Sequence, residues 1–102
     1  LFVDSRDAAD YAKDHIPGAV NLPMRKWAEL WPQAESQLPR DRTLVLYCYG
    51  AHCGLSTRQG KALLEEGYED LVVLDYGWST WTKYGQPTVR HPEGHPADEE
   101  GG

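Results

Sequence analysis

The sequence predicts a three-layer α/β/α fold, with helices covering both faces of a central, mainly parallel sheet. Three observations carry this. Two near-continuous apolar runs, Thr43-Leu44-Val45-Leu46-Tyr47 and Leu71-Val72-Val73-Leu74-Asp75, read as strands buried on both faces, as parallel sheets require. Between them lies a helix with both ends written in: Ser56 and Gln59 stand in capping-box spacing, Leu63 and Leu64 share a face, and Gly67 terminates it. Strands alternating with helices at this spacing build right-handed crossovers.

Taken in order, Leu1-Phe2-Val3-Asp4 reads as a short buried strand, met without a preceding Met. Asp7 is placed to cap a helix in which Ala8, Tyr11 and Ala12 fall at i, i+3 and i+4. His15-Ile16-Pro17-Gly18-Ala19 puts Pro-Gly at the central positions of a type II turn, and residues 19–22 form a second strand closed by Pro23. Trp27, Leu30 and Trp31 share one face of a helix over residues 24–31, which Pro32 ends. Residues 33–38 read either as a further helical turn or as a loop. Pro39-Arg40-Asp41-Arg42 is a surface turn into the strand at residues 43–47. Past Gly67 comes the strand at residues 71–75, then a short aromatic helix with Trp78 and Trp81, opening after Gly77 and stopping near Gly85. Residues 89–102 are mostly Pro, Gly, His and acid. They cannot bury enough apolar area to offset their conformational entropy, so a disordered acidic tail is expected behind one domain at residues 1–88.

Composition narrows the function. A chain of 102 residues, 40% hydrophobic, holds one core, and no apolar run approaches the ~20 residues of a membrane helix. The net charge is −6, half of it from the tail, where Arg90 faces Glu93, Asp98, Glu99 and Glu100. That balance argues against nonspecific nucleic-acid binding, which needs clustered Lys and Arg. Two Cys are too few for a disulfide scaffold, so a reducing, cytoplasmic setting with no membrane partner is expected. His91 and His95 have no third ligand in suitable spacing, and neither a metal nor a cofactor is expected.

Chemistry concentrates where the first long strand ends. Cys48 closes it, and the small-residue loop Tyr49-Gly50-Ala51-His52-Cys53-Gly54-Leu55 leads into the capped helix. In parallel α/β sheets the functional crevice lies outside the carboxyl ends of the strands. Three loops meet there: Ser5-Arg6, residues 48–55 and residues 76–78. Backbone N–H groups of such a loop converge on one point, to which the helix adds its positive end. An anion is stabilised there, and a thiol ionises more readily than a free one, whose pKa is about 8.5. A thiolate beside an oxyanion cradle is a nucleophile for sulfur or oxyanion chemistry. The alternative is a buried structural cysteine at a strand end.

These features resemble a single-domain rhodanese, a sulfurtransferase-type domain. The resemblance covers nearly all of residues 1–87. It rests on Val3-Asp4-Ser5-Arg6, His15-Ile16-Pro17-Gly18-Ala19-Val20-Asn21, the strand-Cys48-loop-helix unit, Gly67-Tyr68, and Leu74-Asp75-Tyr76-Gly77-Trp78 with Trp81. It implies that Cys48 takes a sulfane sulfur as a persulfide and passes it to a thiophilic acceptor. The donor would be thiosulfate or an organic persulfide or mercapto-acid, and the acceptor cyanide, a small thiol or a protein thiol, with the domain a monomer or weak homodimer. The resemblance also implies a leader strand and helix ahead of Leu1. Two departures bear on the donor. Tyr49 follows the cysteine where the family commonly has Arg or Lys, leaving His52 as the loop's candidate cation. Ser56, eight residues beyond Cys48, makes the loop longer than its commoner form.

The candidate site is therefore Cys48 as nucleophile, with Tyr49, Gly50, Ala51, His52, Cys53, Gly54 and Arg6 toward substrate. Cys53 is either a resolving thiol, forming an internal disulfide with Cys48, or a small loop residue. His52 either holds an oxyanion or is an exposed imidazole. Arg6, matching the family's Asp-x-Arg arginine, either pairs with a helix carboxylate such as Asp10 and braces the loop or touches substrate. His15 is read as structural. Arg58 and Lys61, at the start of the helix behind the loop, oppose its dipole, which fits either an anion site or a solvated face. Tyr49, Trp78 and Trp81 rim the pocket or belong to the core. Two rival functions stand beside sulfur transfer: a dithiol redox protein using Cys48 and Cys53, and a non-catalytic binding module. A phosphatase-type variant is disfavoured, because Gly54 stands six residues after Cys48, where an Arg would grip phosphate.

Overall fold

Four short strands pair side by side, all parallel, in the order β2-β1-β3-β4. They are β1 (Phe2–Asp4), β2 (Val20–Asn21), β3 (Leu44–Tyr47) and β4 (Leu71–Val73), and the helices are α1 (Ala8–Lys13), α2 (Trp27–Ala34), α3 (Leu55–Glu65) and α4 (Gly77–Lys83). The computed structural model describes residues 1–50, 53–74 and 77–89. Successive side chains on a strand point to opposite faces, and that alternation divides the core in two. Val3, Leu44 and Leu46 pack with Leu22, Ala34, Leu38, Leu63 and Tyr68 under α2 and α3. Phe2 and Tyr47 pack with Tyr11, Ile16, Ala19, Trp78 and Trp81 under α1 and α4. Helices thus cover both faces, and the expected three-layer α/β fold is the one observed.

Several elements differ locally from expectation. Strand β4 lies at the sheet edge rather than inside it, and Val72 is 46% exposed. An apolar run marks a strand but not its place in the strand order. Helix α2 starts after a 3₁₀ turn at Met24–Lys26 and continues through Pro32 to Ala34, followed by a second 3₁₀ turn at Glu35–Gln37. The proline removes one backbone hydrogen bond. Continuation buries Ala34 in line with Trp27, Leu30 and Trp31 on the core, and this packing offsets the loss.

Helix α3 begins at Leu55 with Gly54 as its cap, and neither Ser56 nor Gln59 caps it. Its buried face is Leu55, Ser56, Gln59, Gly60 and Leu63, while Leu64 is 57% exposed. Its end matches expectation: Gly67 has φ +95°, its N–H donates to the Leu64 carbonyl at 3.1 Å, and the Tyr68 N–H donates to Leu63 at 3.1 Å. These paired bonds form a Schellman stop, which needs a left-handed residue that glycine supplies without strain. At the other end of the domain Val89, assigned from the sequence to the tail, exchanges two 2.7 Å backbone bonds with His15. The tail beyond Val89, with His91 and His95, lies outside the described residues.

Candidate functional site: the Cys48 loop

The site is built on the carboxyl ends of β1 and β3. Pairing of Asp4 with Tyr47 sets the two strands in register, and the Ser5 N–H extends the ladder by donating to the Tyr47 carbonyl at 2.9 Å. Cys48 follows at once, 2% exposed. The amino end of α4 closes over it. The Trp78 N–H donates to the Cys48 carbonyl at 2.8 Å and the Ser79 N–H to the Tyr49 carbonyl at 2.9 Å. The first N–H groups of a helix have no partner within it, so here they hold the loop. Among the described residues, Ser5, Cys48, Tyr49 and Trp78 of the three expected loops meet at this edge.

Cys48 and Cys53 are joined as a disulfide, with Cα atoms 6.4 Å apart. The Cys53 N–H donates to the Gly50 carbonyl at 3.1 Å, and this turn folds the second cysteine back toward the first. The Ser56 hydroxyl donates to the Cys48 Sγ at 3.4 Å. Ser56 lies in the first turn of α3, so the sulfur sits beside the positive end of an 11-residue helix. Gln59, one turn on, accepts from the Ser5 hydroxyl at 2.7 Å and donates to the Leu22 carbonyl at 2.6 Å. It ties three segments together beneath the loop. Sequence reading assigned Ser56 and Gln59 to a cap; their spacing with Leu63 was the signal that they face inward.

Arg6 does not pair with Asp10. Its guanidinium binds the Asp4 carboxylate, with Nη2 at 2.9 Å and Nε at 3.1 Å, and donates to the Asp14 carbonyl at 2.7 Å. Side-chain exposure of the pair is 3% and 0%. The Arg6 N–H and the Tyr47 hydroxyl complete the shell around Asp4, at 2.9 and 2.8 Å, as a buried carboxylate requires. Burial works against the Arg6 charge, yet its hydrogen bonds and attraction to Asp4 hold its pKa above the ordinary value. Burial first, then Asp4, pushes the Tyr47 phenol well above its usual range. Arg6 therefore braces the loop, with the Trp78 ring 4.3 Å from its carbon centre.

Tyr49 turns toward α1 and takes the partner expected for Arg6: its hydroxyl donates to Asp10 and accepts from the Asp7 N–H at 3.4 Å. Burial and the Asp10 bond push its pKa up to about 12. Trp78 and Trp81 belong to the core beneath the site, Trp81 edge-on to Phe2 with ring centres 5.4 Å apart. Gly50 and Gly54 lie in the loop as expected; Ala51 and His52 fall outside the described residues. Arg58 and Lys61 are exposed on the outer side of α3. His15 is buried, its Nδ1 2.8 Å from the Tyr11 carbonyl, and it stacks on the Tyr11 ring. A cavity of about 710 Å³ opens elsewhere, between α1 and α2, and none of the candidate site residues lines it. Among the described residues no group of three His, Cys, Asp or Glu side chains is placed to hold a metal ion. No helix there is long and apolar enough to cross a membrane.

Fold and site together define a parallel α/β domain with a cysteine loop between its central strand and a helix amino end. The chain belongs to the rhodanese-like domain family, whose model matches residues 1–84. It is 38% identical over 95 residues to a protein of Allochromatium vinosum named sulfurtransferase, covering 92% of this chain and 81% of that one. It is 38% identical over 79 residues to the thiosulfate sulfurtransferase GlpE of Shewanella oneidensis, covering 78% and 72%. A crystal structure of the BH2092 protein from Bacillus halodurans superposes with a TM-score of 0.79 at 26% identity, covering 90% of this chain and 64% of that one.

Proposed function

We propose that this domain is a sulfurtransferase working through a persulfide on Cys48. With the disulfide reduced, the Cys48 thiolate attacks the sulfane sulfur of a donor, whose remaining part leaves with the electron pair of the broken bond. A thiol or cyanide acceptor then takes the outer sulfur and returns the thiolate. The observation that carries this reading is the position of Cys48, at the end of the central strand against the first turn of α3, with the Ser56 hydroxyl at its sulfur. Positive charge and a donor at that point stabilise both the thiolate and the persulfide anion. Thiosulfate, organic persulfides and mercapto-acids fit as donors, and a protein thiol fits as an acceptor beside small ones. The cycle needs reduced Cys48, which goes with a cytoplasmic setting, and the domain works as a monomer or weak homodimer.

Intact mass of the reduced protein after exposure to each donor tests this. A Cys53→Ser chain, which cannot close the internal disulfide, gains one sulfur atom on Cys48, and Cys48→Ser gains none and transfers none. Full transfer by Cys48→Ser removes the assignment.

A further inference from the structure

We infer that Cys53 gives this site a second activity, the reductive release of hydrosulfide from a persulfide held on Cys48. The inference rests on the sulfur-transfer reading above and extends it. The two cysteines are bonded in the structure, so the loop backbone already brings the Cys53 sulfur onto Cys48 with no movement of β3 or α3. Their Cα separation of 6.4 Å lies within the roughly 4.4–6.8 Å that disulfides span. The chemistry balances. The Cys53 thiol passes its proton to the outer sulfur of the Cys48 persulfide anion as its own sulfur attacks the inner one. The Cys48–Cys53 bond forms, the bond between the inner and outer sulfurs breaks, and the outer sulfur leaves as hydrosulfide with the electron pair. Cys53 is oxidised and the sulfane sulfur is reduced.

A dithiol reductant must then reset the site, and the burial of the two sulfurs decides where it enters. Cys48 is 2% exposed, whereas Cys53 is only half-buried. An incoming thiolate therefore attacks Cys53 and expels Cys48, the better leaving group because its charge forms beside Ser56 and the α3 amino end. The second thiol of the reductant then displaces Cys53 and leaves with it as a disulfide. Over one cycle a sulfane donor and a dithiol become the spent donor, hydrosulfide and a disulfide. A monothiol acceptor that reaches the outer sulfur before Cys53 closes draws the same intermediate into transfer instead.

Reduced, desalted full chain is incubated anaerobically in separate reactions with one equivalent of thiosulfate and one equivalent of 3-mercaptopyruvate, whose spent forms, sulfite and pyruvate, carry no thiol. Hydrosulfide and intact mass are then read. The wild type releases one hydrosulfide per chain and ends two hydrogens lighter than its dithiol form. Cys53→Ser and Cys53→Ala keep the added sulfur and release hydrosulfide only when an external thiol follows. A wild type that holds its persulfide, or that forms the disulfide without hydrosulfide, overturns the inference and leaves sulfur transfer standing. Absence of sulfur gain on both Cys53 variants, with neither donor yielding hydrosulfide from the wild type, overturns both readings.

Discussion

A Cβ placed on Gly77 would lie 2.5 Å from the Cys48 carbonyl oxygen, the same oxygen that accepts from the Trp78 N–H. Gly77 also has φ +53°. Replacing it with Ala sets backbone against backbone, and the left-handed conformation alone costs about 1–2 kcal/mol. Gly77→Ala should lower stability by about 2 kcal/mol or more and slow sulfur loading together, as read by urea unfolding and intact mass. Parental values of both would show that the loop and α4 are not in this close contact.

The buried Asp4–Arg6 pair makes a different prediction. Removing one partner leaves the other charge without compensation inside the protein, at a cost of about 3–5 kcal/mol. Arg6→Met should fall in that range, and Asp4→Leu with Arg6→Met should recover part of the loss. If Arg6 contacted substrate instead, Arg6→Met would raise KM with little change in unfolding midpoint.

Ser56 donates to the Cys48 sulfur, and a hydrogen bond to a charged group contributes about 1.5–3 kcal/mol. Ser56→Ala should therefore slow sulfur loading by about tenfold or more with the fold intact. Cysteine alkylation rates in a Cys53→Ser background, followed across pH, report the same loss independently of any donor. Unchanged rates by both measures would remove Ser56 from the site.

Donor preference follows from Tyr49. A basic residue after the cysteine would add attraction for a small dianion, but the Tyr49 hydroxyl points to Asp10. One lost cation in a partly desolvated pocket is worth roughly 1–3 kcal/mol, about tenfold to a hundredfold in rate. Thiosulfate should turn over weakly, and an organic persulfide or mercapto-acid donor faster, at matched pH and salt. Equal rates would mean that backbone donors and the α3 dipole supply the field unaided.

Tyr49 also predicts alkaline behaviour. Its folded pKa is raised to about 12, by burial and then by Asp10, above the ordinary value of about 10. Its contribution to stability is therefore full below pH 10 and is lost as pH climbs toward 12. Tyr49→Phe should cost about 1 kcal/mol at neutral pH and flatten the fall of stability over pH 10–12, with Tyr47 unchanged in both proteins. Identical slopes for parent and variant would show that the Asp10 bond does not form in solution.

Much of this protein is legible in its sequence because the signals are local. An apolar run ending in Cys48, a small-residue loop and a helix stopped at Gly67 each depend on a few neighbouring residues. Their order along the chain is enough to place the cysteine at the carboxyl edge of a parallel sheet. The spacing of Cys48 and Cys53 likewise puts a disulfide within reach before any coordinates exist.

Partner choice is the part that local pattern leaves open. Arg6 has both Asp4 and Asp10 near it in sequence, and Asp4 receives it because β1 buries that carboxylate beside Tyr47, where an unpaired charge would be costly. Asp10, left at the surface edge of α1, then receives Tyr49. Ser56 and Gln59 have the spacing of a cap and also that of one buried helical stripe, and the start of α3 at Leu55 selects the stripe. Val72 sits in a run as apolar as that of β3, but strand order places it at an edge with a neighbour on one side only. Sequence alone determined the layers, the cysteine loop and the helix that backs it. Tertiary structure decided which polar groups meet, because burial energy depends on what packs around a group and not on which residues precede it in the chain.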